Sequence, residues 1–133
     1  MQLINSILLN EVTKQAQESP RLRMNHNFHD SLDAKAQRLL NALEPGTILP
    51  IHRHPHTAET YLLLRGKIRV MFYNDKKEET ESTLLDPLAG SFGVHITPYG
   101  WGCVFWGVFF PPTWGPRLPP GGRGLLVFFL FKN

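Results

Sequence analysis

The sequence predicts a mostly β, single-domain protein with one N-terminal helix, and three observations support this prediction. The chain has 133 residues, about the size of one domain with a single core. Its composition, 42% apolar and 19% charged, is that of an ordinary globular protein. From residue 47 onward, short extended segments alternate with turn formers, which is typical of a sandwich or barrel.

The charge and the cysteine content limit the partners and the compartment. The net charge of +3 comes from 14 basic and 11 acidic residues, and the basic residues are scattered, so we expect no nucleic-acid partner. With one cysteine, Cys103, no intrachain disulfide can form, and a cytoplasmic location is expected. No signal peptide is visible, and the longest clean apolar run, residues 125–131, is far shorter than the roughly 20 residues of a membrane helix. We therefore expect no membrane association.

The first third of the chain contains three segments of different character. Apolar side chains recur at three- and four-residue intervals over residues 4–16, which predicts an amphipathic helix that ends before Pro20. Residues 19–31 are rich in turn formers and lack a sustained period, so we expect an ordered arm or loop there. Residues 34–43 favour a helix by composition, but their leucines fit a buried strand equally well, and both interpretations stay open.

The middle of the chain has the pattern of a meander. Residues 60–64 are extended and apolar, residues 65–66 form a turn, and residues 67–73 alternate in polarity, which predicts a hairpin. Residues 74–77 form the next turn, and residues 78–85 are expected to return as a strand with a charged outer face.

The last third has a different composition. Between Pro98 and Gly124, 13 of 27 residues are Gly or Pro, which interrupts strands of normal length. We therefore divide the predicted domain, residues 1–133, into three parts: a helical arm and loop (1–33), a barrel with a metal motif (34–97) and an atypical Pro/Gly/aromatic tail (98–133).

Two histidines and one glutamate form a candidate metal site. His52 and His54 stand two residues apart, and along a strand this spacing puts both on the same face. Glu59 follows five residues later, and a return of the chain can bring its carboxylate to the same point. Two neutral nitrogens and one anionic oxygen suit Mn, Fe, Ni, Co or Zn better than Ca or Mg, so we predict one divalent transition metal ion on these three residues. The alternative is that the histidines are solvated loop residues. His56 has the wrong parity and is expected at the surface or behind a ligand, and Arg53 is expected to point away.

Glycines at tight turns complete a longer pattern. The spacing Gly46-x5-His52-x-His54-x4-Glu59-x6-Gly66 resembles the first conserved motif of the cupin superfamily at every position. More closely, residues 1 to about 96 resemble the WbuC family of small cupin metalloproteins. The stretches that carry this resemblance are Ser19-Pro20-Arg21-Leu22-Arg23, Asn25-x-Asn27-Phe28-His29, Gln37-Arg38-Leu39-Leu40 and the run from His52-Arg53-His54-Pro55 to Arg65-Gly66-Lys67. The resemblance implies a single cupin barrel (a double-stranded β-helix or jelly roll) with an N-terminal helical arm, a bound metal, and a role in O-antigen or capsule sugar metabolism.

The sequence departs from the family at its second motif, which resembles Ile-Pro-x-Gly-x-Trp-His and supplies the fourth metal ligand. Here the chain reads Ile96-Thr97-Pro98-Tyr99-Gly100-Trp101-Gly102-Cys103. The family's final strands are also replaced by the tail, as a change of reading frame near codon 97 would produce. His95, Cys103 or water can fill the fourth position, and an open site on two histidines and one carboxylate is the arrangement that non-haem iron oxygenases use.

The first hypothesis for function is a metal-dependent protein that acts on or binds a saccharide or nucleotide sugar, with the metal as a Lewis acid. The alternatives are a non-catalytic, ligand-binding or regulatory module with a structural metal, and an Fe(II) oxygenase. No pair of acid and base residues indicates a reaction, so enzyme activity stays open. Asn27, His29 and Arg38 are expected around the ligand pocket. A homodimer is also predicted, and the apolar residues 125–131 can extend a strand, form an interface or promote aggregation.

Overall fold

The computed structural model describes residues 1–47, 49–52, 54 and 56–97, together with the backbone of residues 105–109 and 124–132. Within these residues the protein is mostly β with one α-helix. In chain order the elements are α1 (Ser6–Glu18), β1 (Arg23–Asn27), β2 (Ala36–Leu43), β3 (Thr57–Arg65), β4 (Ile68–Tyr73), β5 (Glu79–Leu85), a short 3-10 helix (Pro87–Ala89), β6 (Gly93–Ile96), β7 (Phe105–Phe109) and β8 (Gly124–Lys132).

Helix α1 forms where the apolar period predicts it. The side chain of Asn5 caps the N-terminus by accepting a hydrogen bond from the backbone N–H of Leu8, 3.1 Å away. The helix ends at Glu18, before Pro20, because the next residue is already extended. Val12 and Ala16 form its buried stripe and pack against β2, so the predicted helix is confirmed.

The strands form two sheets. The five-stranded sheet has the order β1-β2-β8-β3-β6, the three-stranded sheet has the order β5-β4-β7, and each pairing described is antiparallel. Residues 36–43 are therefore a strand, which decides between the two interpretations of that segment. The arm or loop expected at residues 19–31 contains the edge strand β1, so that prediction is wrong for residues 23–27. Its mixed composition hides the strand, because its residues pair with residues of β2 that are 12 to 20 positions further along the chain.

The main core lies between the two sheets. Leu43, Tyr61 and Leu63 from the five-stranded sheet pack with Ile68 and Val70 from the three-stranded sheet, and all five are almost fully buried. Helix α1 covers the opposite face of β1 and β2, where Leu40 and Ala42 join a second buried cluster. Both faces of β2 thus carry buried residues, which explains why apolar side chains occupy adjacent positions at Leu39-Leu40 and Ala42-Leu43.

The predicted hairpin at residues 60–73 is wrong. β3 and β4 belong to different sheets, and the chain crosses from one to the other through Gly66, whose φ of 89° is a left-handed conformation that glycine adopts without strain. Alternating polarity identifies a strand with one buried face, but both sheets bury a face against the same core. The pattern therefore predicts each strand correctly and cannot assign its hydrogen-bonded neighbour.

The next turn is the hairpin that the sequence predicts. The side chain of Asn74 accepts hydrogen bonds from the backbone N–H groups of Lys76 (2.9 Å) and Glu78 (3.0 Å), which closes the turn. β5 then pairs with β4, and its exposed face carries Glu79, which lies 2.6 Å from Arg69. None of the described helices is long and apolar enough to span a membrane.

The tail contributes two strands. β8 lies in the middle of the five-stranded sheet, between β2 and β3, and β7 lies at an edge of the smaller sheet. The apolar run at residues 125–131 therefore belongs to a central strand in a sheet of its own chain. The Pro/Gly-rich residues 98–104 and 110–123 lie outside the described residues.

Candidate metal centre

Strand β3 places a carboxylate in the core. Its side chains alternate, so that Glu59, Tyr61 and Leu63 are buried while Leu62 and Leu64 are partly exposed. Glu59 is only 3% exposed. A buried charge is costly unless it is paired and hydrogen-bonded, so the partners of this carboxylate define the site.

The two oxygens of Glu59 have different partners. The hydroxyl of Tyr61 donates a hydrogen bond to Oε2. Oε1 lies 3.0 Å from Nε2 of His54, whose side chain is 37% exposed. The carboxylate is therefore held from the core side by a phenol and faces an imidazole on the solvent side.

His52 joins this pair through its ring. The ring centroids of His52 and His54 are 5.2 Å apart, with the planes nearly perpendicular at 83°. Nδ1 of His52 lies 2.9 Å from the carbonyl oxygen of Pro50, which can only accept a hydrogen bond, so Nδ1 carries the proton. In the neutral ring the lone pair is then at Nε2. Histidine ligands of metals are commonly in such a state, in which one ring nitrogen is free to bind the ion and the other donates to a carbonyl oxygen.

Tyr61 keeps its proton in this environment. Burial raises the pKa of its hydroxyl far above the usual value, and the negative charge of Glu59 and the hydrogen bond to it raise the pKa further. Tyr61 is therefore a permanent donor to Glu59 at ordinary pH.

The side chains of His52, His54 and Glu59 are of the types that bind transition metal ions, and their arrangement matches such a site in part. Metal–nitrogen and metal–oxygen bonds are about 2.0–2.2 Å long, so neighbouring ligand atoms lie about 3 Å apart, like Nε2 of His54 and Oε1 of Glu59. The ring of His52 contacts the ring of His54. Among the residues that the structure describes, no group of three or more His, Cys, Asp or Glu side chains is arranged to hold a metal ion. The structure thus brings two predicted ligands into contact and places the third beside them.

Of the two proposed protein sources of a fourth ligand, the structure describes His95, which lies away from this site. β6 pairs with β3 so that Ile96 is opposite Glu59 and His95 is opposite Thr60. His95 therefore lies on the other face of the sheet, where its Nδ1 and the hydroxyl of Thr60 are 2.7 Å apart. The expectation that His95 can be a ligand is wrong for this reason, while Cys103 lies outside the described residues.

The residues expected around a ligand pocket have other roles. The pairing through β8 places Arg38 on the face of Thr60, opposite to that of Glu59. Nδ1 of His29 lies 3.1 Å from the carbonyl oxygen of Arg38, so this ring holds the start of β2 against the end of β1. Asn27 is exposed at the sheet edge. These positions give no support to a pocket formed by the three residues.

Two further expectations concern the neighbours of the ligands. His56 is exposed, consistent with its parity, and Arg53 lies outside the described residues. Tyr61 was missed, because in the sequence it is one more apolar residue of a buried strand. The available signal was its spacing: a hydroxyl two residues after Glu59 on a strand shares the face of that carboxylate.

The fold and the site define a mostly β protein with two facing sheets and a buried carboxylate that faces a histidine. The chain matches the family described as "Domain of unknown function (DUF6016)" over residues 4–85, more than half of its length, and it belongs to that family.

A solved structure is similar over nearly the whole chain. It is TT1209 from Thermus thermophilus, known from a crystal structure, with a TM-score of 0.61 and 20% sequence identity. The comparison covers 99% of this chain and 98% of that chain, and at this identity it shows a shared fold. No curated protein matches the sequence.

Proposed function

We propose that this chain is a metal-binding protein in which His52, His54 and Glu59 hold one divalent transition metal ion, such as Zn, Mn, Fe or Ni. The observation that carries the proposal is the 3.0 Å separation between Nε2 of His54 and Oε1 of a carboxylate that is 3% exposed. Removing one partner from a buried charge pair typically costs about 3–5 kcal/mol. A buried glutamate therefore needs a nearby cation or hydrogen-bond donors to stabilise it. A metal ion on the histidine side would supply that cation.

The cupin barrel is the finer fold that we propose for this arrangement. Two antiparallel sheets that enclose one core are compatible with a jelly roll. The spacing from Gly46 to Gly66 and the resemblance to the WbuC family also support it. The described strands themselves form two separate sheets rather than a closed barrel.

The proposed ligand of the metal-loaded protein is a saccharide or nucleotide sugar of surface-polysaccharide biosynthesis, a role that the WbuC resemblance suggests. When bound, the metal would polarise an oxygen of such a ligand as a Lewis acid. The residues of the chain hold that centre in place: Tyr61 and the core fix Glu59, and Pro50 orients His52. The exposed side of His54 leaves the site open to solvent and therefore to a small molecule.

Elemental analysis of the purified protein tests the metal. We expect about one transition metal ion per chain in the wild type and less than about a tenth of that in the His52→Ala/His54→Ala variant. The matched control is His56→Ala/His95→Ala, which removes two exposed histidines outside the site and should keep the metal. Equal metal content in the two double variants would contradict the proposed site.

A thermal-shift screen with nucleotide sugars tests the ligand class. We expect stabilisation of the metal-loaded wild type by at least one sugar, and none for the His52→Ala/His54→Ala variant, because a ligand that binds the native state raises its stability. A loaded protein that no sugar stabilises would refute the saccharide role and leave the metal site standing. Consumption of oxygen by the Fe(II)-loaded protein with a reductant would instead indicate an oxygenase.

A further inference from the structure

We propose that Tyr61 is a positioning residue for the metal ligand Glu59: its hydroxyl occupies Oε2 and so makes Glu59 a ligand through Oε1 alone. This inference rests on the proposed metal site and adds to it the mode of carboxylate binding and a preference among metals.

The first step is the placement of the two side chains. Glu59 and Tyr61 are two residues apart on β3, so both point to the same side of the sheet, into the core. Tyr61 is 2% exposed and Glu59 is 3% exposed. In a buried pair of this kind little water competes for the carboxylate, and the phenol stays its donor.

The second step is the division of the carboxylate between its partners. Oε2 accepts the hydrogen bond from Tyr61, and Oε1 is directed to Nε2 of His54 at 3.0 Å. A carboxylate that binds a metal through both oxygens has to turn both of them towards the ion. The hydrogen bond from Tyr61 opposes that rotation, so the carboxylate presents one oxygen on the histidine side.

The third step is the consequence for the metal. Ca²⁺ takes about 6–8 oxygen ligands, often with a carboxylate bound through both oxygens, whereas Zn²⁺ is satisfied by about four nitrogen, sulfur or oxygen ligands. A glutamate limited to one oxygen therefore favours a small transition metal ion. Residues that orient ligands in this way typically contribute about 10- to 100-fold to metal affinity.

The test compares Tyr61→Phe with Tyr73→Phe, the same chemical change on β4. The Tyr73 hydroxyl donates to Sδ of Met71 at 3.5 Å, away from Glu59. Dissociation constants for Zn²⁺ and Co²⁺ are measured by competition with a chromophoric chelator, and the visible absorption of the Co²⁺-loaded proteins reports the coordination number. A merely structural tyrosine would leave that absorption unchanged.

In Tyr61→Phe we expect metal affinity to fall about 10- to 100-fold, as for other residues that orient ligands. The visible Co²⁺ band should also weaken, because the released Oε2 becomes a further ligand. Tyr73→Phe should match the wild type in both measurements. The positioning role is overturned if Tyr61→Phe binds metal as tightly as the wild type with the same Co²⁺ spectrum.

A second measurement covers the case in which Tyr61→Phe does not fold. The chain has three tyrosines, so a Tyr73→Phe/Tyr99→Phe protein labelled with 3-fluorotyrosine carries fluorine only at Tyr61. Its ¹⁹F resonance should shift on addition of Zn²⁺ and stop shifting at one equivalent. An unchanged resonance in a protein that binds Zn²⁺ overturns only the positioning role. A wild type that takes up no metal in equilibrium dialysis overturns the metal site and the positioning role with it.

Discussion

Gly93 lies so close to β3 that a Cβ atom placed on it would be 2.0 Å from the carbonyl oxygen of Tyr61. The contacted oxygen belongs to the backbone of Tyr61, so no rotation of a side chain would relieve the clash. It sets how closely β6 approaches β3, and through Val94 and Ile96 it sets how that strand packs on the core next to Glu59. Only glycine permits this approach.

Gly93→Ala should therefore be strongly destabilising. We expect a loss of about 3 kcal/mol or more, the upper end of the range for overpacking, measured by urea unfolding. The matched control is Gly90→Ala, which also replaces a glycine close to β6 but has no atom within 4 Å of the new Cβ. Its φ of 84° costs only about 1–2 kcal/mol for alanine. Equal effects of the two substitutions would show that β6 can move away from β3.

Leu40 connects helix α1 to the sheet. It is 0% exposed in the cluster with Val12 and Ala16. Leu40→Ala should lower the free energy of unfolding by about 2–5 kcal/mol, because it leaves a cavity under the helix. Ile7→Ala removes apolar atoms from the exposed face of the same helix, where the side chain is 77% exposed, and should change stability by no more than about 0.5 kcal/mol. Similar losses in both variants would contradict the described packing of α1.

Arg65 ties the end of β3 to the same helix. Its guanidinium donates to Oδ1 of Asn10 at 2.8 Å and to Oγ1 of Thr13 at 3.2 Å. In Arg65→Ala we expect faster amide hydrogen exchange in α1, with a loss of roughly 1 kcal/mol, since these hydrogen bonds are partly solvated. Arg69→Ala removes an arginine that bonds Glu79 on the smaller sheet and should leave exchange in α1 unchanged. An unaltered rate of amide exchange in α1 of Arg65→Ala would show that these hydrogen bonds do not stabilise the helix.

The buried phenol predicts a dependence of stability on alkaline pH. The pKa of Tyr61 is raised in the folded protein by burial and by Glu59, from a usual value of 10.0. The folded state therefore keeps a proton that the unfolded state loses, so this contribution is complete below pH 10 and declines as the pH rises above it.

Ultraviolet titration of tyrosinate checks this prediction. In the folded wild type, Tyr61 should not ionise with the other tyrosines and should appear only when the protein unfolds. Before unfolding, Tyr61→Phe should show the same amplitude of tyrosine ionisation as the wild type. This result would identify Tyr61 as the tyrosine that does not ionise in the folded protein. If all three tyrosines ionise together while the circular dichroism is native, Tyr61 is not buried as described.

Helix α1 and the contact of His54 with Glu59 could be predicted from local sequence, and the reason is physical. The helix depends on an apolar period and on the cap at Asn5, both of which are properties of neighbouring residues. His52, His54 and Glu59 lie within eight consecutive residues, so a short return of the chain is enough to bring them near one another. The contact between His54 and Glu59 agrees with that expectation, and the position of His52 beside His54 agrees in part.

The pairing of β4 with β5 across a short turn could also be predicted, but the pairing of strands distant in the sequence could not. β8 lies between β2 and β3, although more than 50 residues separate it from either strand in the sequence. The pattern of β3 fits a hairpin with β4 as well as it fits the observed pairing with β6 and β8.

The sequence by itself determined that the protein is mostly β, that a helix precedes the strands, and that two histidines and a glutamate lie close along the chain. Only the tertiary structure decided that His95 is on the opposite face from Glu59, that Tyr61 holds Oε2, and that Gly93 sets the approach of β6. The physical reason is that alternation and propensity act between neighbours in the chain, whereas the identity of the opposite strand, and hence the face and the partner of each side chain, depends on hydrogen bonds between distant residues.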